Sequence, residues 1–93
     1  MSADNGIYVL KTPNFKTGHS EFRVAHRQAI ENIHYPGEQI KYLKMYFGDC
    51  EVFTSEAQAM LEASKLYDEI MESDFPIIEY GISKIVLDRE FPT

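Results

Sequence analysis

A chain of 93 residues buries little more than ~60% of its unfolded surface, so one core and a single domain over residues 1–93 are expected. Its 44% apolar and 26% charged residues make a folded, globular composition, and apolar runs of only three or four residues exclude a membrane-spanning helix. The lone cysteine, Cys50, excludes an internal disulfide or a cysteine-based metal cage, and a net charge of -6 disfavours general binding to polymeric nucleic acid.

Asp4-Asn5-Gly6 is a turn sequence, and Ile7 to Leu10 follow it as a β-rich run. A loop with Pro13, Asn14 and Gly18 leads to Glu21–His26, where Phe22 and Val24 share one face and Arg23 takes the other. The two runs are expected to pair as a hairpin. Arg27 to Ile33 then carries Ala29, Ile30 and Ile33 at helical spacing, and Pro36-Gly37 ends that short helix. Residues 39–47 fit either helix or strand; Leu43, Met45 and Phe47 alternate with Tyr42, Lys44 and Tyr46, and the aromatic content favours a strand. Gly48-Asp49 would be its tight turn, with Cys50 to Phe53 returning antiparallel.

The strongest signal is a helix from about Ser55 to Glu72. Thr54 or Ser55 can cap it, Ser55 and Gln58 have the spacing of a capping box, and Glu56 suits the positive end of the helix dipole. Ala59, Met60, Ala63, Leu66, Tyr67, Ile70 and Met71 form a broad apolar stripe, and Ser73-Asp74 with Pro76 stop the helix. A last strand spans about Ile77 to Leu87, with Ile78, Tyr80 and Ile82 on one face. Its alternation slips before Ile85 and Leu87, which predicts a bulge near Gly81 or Ser83. The fold class is therefore α+β: a mainly antiparallel sheet with one long helix packed across a face, and one short helix. Met60, Ala63, Tyr67 and Ile70 should pack on Val9, Val24 and Ile82.

Charge is unevenly spread. Residues 1–48 hold six basic and four acidic side chains, whereas residues 49–79 hold nine acidic ones against Lys65 alone. On the long helix, Glu62, Glu69 and Glu72 fall near one another with Asp68 beside them, and Asp74 follows. An acidic patch of this kind fits a basic surface, including one that itself binds nucleic acid. The plainer reading is a solvated helix face that confers solubility.

Catalytic chemistry is not visible. Cys50 has no histidine near it in sequence, the acidic helix residues lie on a solvent face, and no phosphate loop or metal-binding helix motif occurs. A non-enzymatic protein without cofactor is expected. His19, His26 and His34, spaced seven and eight apart, do not match zinc-ligand spacing, so no metal is expected. Arg23, His26 and Arg27, with Gln28 and Asn32 just behind, would gather at a strand-to-helix junction and, with Lys44 from further along the chain, offer a candidate anion or nucleotide site. Alternatively, Arg23 and Arg27 pair with Glu21 and Glu31 on the surface. Tyr42, Lys44 and Tyr46 on one strand face would suit base stacking, or else a second small core.

Ser2-Ala3-Asp4-Asn5-Gly6-Ile7-Tyr8, Arg23–His26 with Gln28–Asn32, Tyr46-Phe47-Gly48 with Val52-Phe53, and Glu79–Ile82 together resemble a family of short phage-encoded accessory proteins. The resemblance implies an anti-defence role, such as that of anti-CRISPR proteins, in the host cell cytoplasm, which the lone cysteine and the lack of a signal-peptide pattern also favour. The expected partner is a bacterial defence effector, met through the acidic helix, with no membrane and no direct polymeric nucleic acid. A sponge for a nucleotide immune signal, using Arg23, His26 and Arg27 and a plausible oligomer interface, is one alternative. A structural accessory protein is another.

Overall fold

β1 (Asn5–Asn14) and β2 (His19–Gln28) form an antiparallel hairpin in the computed structural model, which describes residues 5–28, 40–73 and 81–92. The turn is made by the residues that sequence singles out. Asn14 Oδ1 accepts from the backbone N–H groups of Lys16 at 3.0 Å and Thr17 at 3.3 Å. Gly18, at φ 76°, closes the turn with its N–H on the Asn14 carbonyl at 2.9 Å, a left-handed conformation that favours glycine.

β1 is the central strand, with β2 on one side and β3 (Ile82–Val86) on the other. A strand covered on both faces cannot alternate apolar with polar, which accounts for the unbroken run Ile7-Tyr8-Val9-Leu10. Ile7 and Val9, with Phe22 and Val24 of β2, pack on Ala59 and Ala63 of α2 (Glu56–Met71). Tyr8 and Leu10, with Ala25, face Leu43 and Phe47 of α1 (Ile40–Phe47) and Ile85 of β3, while Leu87 and Phe91 close over that side. The expected α+β class holds: one long helix lies across one sheet face and one short helix lies on the other.

Three local expectations are corrected. Residues 40–47 are helix, not strand: the core uses Leu43 and Phe47, four apart, while Met45 between them is 64% exposed. Gly48 ends that helix instead of turning a hairpin. Its N–H bonds the Lys44 carbonyl at 2.9 Å, and a Cβ there would overlap the same oxygen. Of the supposed return strand only Phe53 pairs with a described residue, Phe22 of β2, through two bonds of 2.8 Å. Second, Arg27 and Gln28 continue β2 rather than opening a helix, and residues 29–33 lie outside the described residues. Third, the last strand runs parallel to β1, so the sheet is mixed. Gly81, at φ 63°, precedes it; from Ile82 to Val86 the pairing with Ile7 to Lys11 is regular, with no bulge at Ser83, and Ile85 faces α1 because it stands beside Leu10. Ile78 and Tyr80 lie outside the described residues.

α2 matches its expected span. The Ser55 hydroxyl caps it by accepting from Gln58 N–H at 3.5 Å, and Glu72 follows its last turn. Its phase is narrower than the stripe predicted. Ala59 and Ala63 are fully buried, and Leu66, Tyr67 and Ile70 half-buried, but Met60 is 37% exposed and its expected neighbour Ile82 36% exposed. Two alanines let the helix axis approach the sheet closely, so only residues near that contact line are covered.

Candidate interaction surface

Strand parity decides which charged side chains remain available. In β2, Arg23 and Arg27 point with Ala25 toward the α1 side, whereas His26 points with Phe22 and Val24 toward α2. The expected Arg23–His26–Arg27 gathering is therefore split across the sheet, and the two arginines stand about 13 Å apart along the strand. Lys44 is exposed on α1.

Both arginines are used internally. Arg23 is 8% exposed; its guanidinium stacks on the Phe91 ring at 3.8 Å, lies 3.7 Å from Glu21 Oε1 and donates to Thr12 Oγ1 at 3.4 Å. Burial lowers its pKa, and Glu21 opposes that shift. Arg27 donates through Nε to the Tyr46 carbonyl at 3.1 Å and through Nη1 to the His26 carbonyl at 2.9 Å. The first bond caps the C-terminal end of α1, where a cation also meets the negative end of the helix dipole. His26 Nε2 is buried with no hydrogen-bond partner. Tyr46 is half-buried against the α1-side core, and Lys44 lies two residues away on a helix, so the expected one-face tyrosine–lysine array does not form.

Cys50 packs half-buried against the same core, its thiol 3.9 Å from the Tyr46 carbonyl. Burial pushes its pKa up, partly offset by Arg27 and Arg23. Among the described residues no three His, Cys, Asp or Glu side chains are placed to hold a metal ion, and no helix is long and apolar enough to cross a membrane.

The acidic residues of α2 behave differently. Asp68, Glu69 and Glu72 are exposed and Glu62 is half-buried, and none of the four makes an ion pair with a described residue. Helical geometry sets Glu62, Lys65 and Glu69 on one flank, with Glu72 and Asp68 turning onto the outward face. Asp74 lies outside the described residues. The opposite flank is tied down: Glu56 pairs with Lys84 of β3, and this bond lowers the Glu56 pKa.

Sequence reasoning missed the apolar part of this surface. Leu61 is 74% exposed and Val52 42% exposed, and both line a groove of about 470 Å³ between residues 51–54 and the acidic flank of α2. Leu61 is two residues from both Ala59 and Ala63, about 160° around the helix from each. A leucine opposite the buried stripe was the available signal. Comparison with protein-family models, curated proteins and solved structures returned no match.

Proposed function

We propose that the chain is a non-enzymatic binding protein that occupies a basic, nucleic-acid-binding surface of a bacterial defence effector in the host cytoplasm, using the outward face of α2. The observation that carries this reading is the acidic face: among the described residues Glu62, Asp68, Glu69 and Glu72 have no ion-pair partner, and Lys65 is the one basic side chain on the helix. Such a face projects a negative field that speeds encounter with a basic partner and imitates a phosphate backbone in sign. Resemblance of the short sequence patches to phage accessory proteins supplies the defence context. The nucleotide-sponge reading loses support, since Arg23 and Arg27 are committed to Phe91, Glu21 and backbone carbonyls.

The test is capture from bacterial lysate on the immobilised protein, with mass spectrometry of bound proteins and nucleotides, alongside the variant Glu62→Lys/Glu69→Lys. A nucleic-acid-binding protein should be retained, released by salt and by competing nucleic acid, and lost with the variant. Retention of a nucleotide with no protein, unaffected by the variant, would replace this reading with the sponge.

A further inference from the structure

The groove beside α2 has a feature that a merely solubilising helix face does not need. Phe53 uses both its N–H and its C=O on Phe22, which places residues 51–54 as a short outer segment beside β2. Phe53 forms a single bridge and Thr54 lies in a bend; at such a bonded pair the preceding residue, Val52, turns its backbone groups to the side away from β2. Neither Val52 nor Thr54 makes a backbone hydrogen bond to another described residue. The unbonded backbone beside this bridge thus forms one wall of the groove, and α2 forms the other with Gln58, Leu61, Glu62 and Lys65.

We infer that this groove receives an extended segment of the protein partner in which basic side chains alternate with apolar ones, added as a strand along residues 52–54. The inference rests on the reading of α2 as a partner-binding face and names the element that docks there. Three properties point to this occupant. The outward-turned backbone of Val52 matches strand addition, in which main-chain bonds give affinity and alternate side chains give selectivity. Exposed Leu61 and Val52 offer an apolar seat from which water is excluded on binding. Glu51 and Glu62 outnumber Lys65 on the lining, and Asp68, Glu69 and Glu72 continue the negative charge along the helix. That balance selects arginine or lysine at the alternate positions. The volume, about 470 Å³, lies in the range of small-ligand pockets and suits one or two side chains.

The experiment titrates a short synthetic peptide alternating arginine with valine into the intact protein, followed by amide chemical shifts and fluorescence anisotropy. Two control peptides are used: arginine alternating with serine, and the arginine–valine peptide N-methylated along one backbone edge. The arginine–valine peptide should shift the amides of residues 51–54. Serine in place of valine, and N-methylation, should each weaken binding at least about tenfold. Leu61→Ser should do the same with an unchanged thermal midpoint, because the side chain is 74% exposed. Equal affinity for all three peptides, unchanged binding by Leu61→Ser, or no binding below about 1 mM overturns the groove. If the three peptides bind alike and all are lost with Glu62→Lys/Glu69→Lys, the groove falls while the acidic-face reading stands. If the groove result holds but the captured partner ignores that charge reversal, the proposed function falls instead.

Discussion

The two faces of the sheet put charged residues to opposite ends. On the α1 side, charge is turned inward and consumed by the fold: Arg23 stacks on Phe91 and Arg27 caps α1. On the α2 side, charge is turned outward, and four carboxylates form no ion pair with a described residue. Arginine has a long apolar stem and five donors, so it can be buried among carbonyls and aromatics where a carboxylate would be left unsatisfied. A charged cluster in a sequence therefore says little about function until its strand or helix phase is known.

The largest expected effect separates the faces by burial. Phe47 is fully buried on the α1 side, so Phe47→Ala should cost about 3–5 kcal/mol on chemical denaturation. Ile70, half-buried on the sheet-facing side of α2, should lose only about 1–2 kcal/mol as Ile70→Ala. Equal losses would mean that α2 is packed more deeply than its phase shows. Next comes Arg27→Ala, which removes two charge-assisted bonds to carbonyls and should cost about 1–2 kcal/mol while leaving partner affinity unchanged. Loss of binding with a retained thermal midpoint would return Arg27 to the list of recognition residues.

The smaller effects concern protons. Glu56 has its pKa depressed, chiefly by the Lys84 hydrogen bond, so its contribution is present above the unfolded carboxylate pKa and disappears as pH falls through the folded one. Thermal midpoints measured across the acidic range should show this loss, and Glu56→Gln should flatten that part of the profile. The effect is small because both partners are exposed. Cys50 should alkylate slowly at neutral pH, since burial raises its pKa and keeps it a thiol. Cys50→Ala should leave partner binding intact; a folded Cys50→Ala protein that has lost function would contradict the non-enzymatic reading.

The hairpin and α2 were legible in the sequence because local chemistry and tertiary need agree there. Asn14 and Gly18 form the turn their types suit, and Ser55 caps the helix its position announces. Residues 40–47 misled because eight residues with aromatics satisfy both periods. Only the depth of Leu43 and Phe47 against exposed Met45 selects the helix, and that depth is a tertiary fact. The parallel setting of β3 was hidden for a similar reason: alternation reports which faces are covered, not strand direction. The acidic face followed from helix spacing, but the groove beside it did not. It depends on Phe53 pairing with Phe22 across 31 residues of chain, which brings the 51–54 segment against α2.

The central claim is that α2, and not the arginine side of the sheet, carries recognition. It is tested most directly by the affinity of Glu62→Lys/Glu69→Lys for the captured partner, with the thermal midpoint read on the same sample. Affinity should fall at least about tenfold while the midpoint stays within ~2 °C of the unaltered protein. Unchanged affinity in the folded double variant would contradict the account.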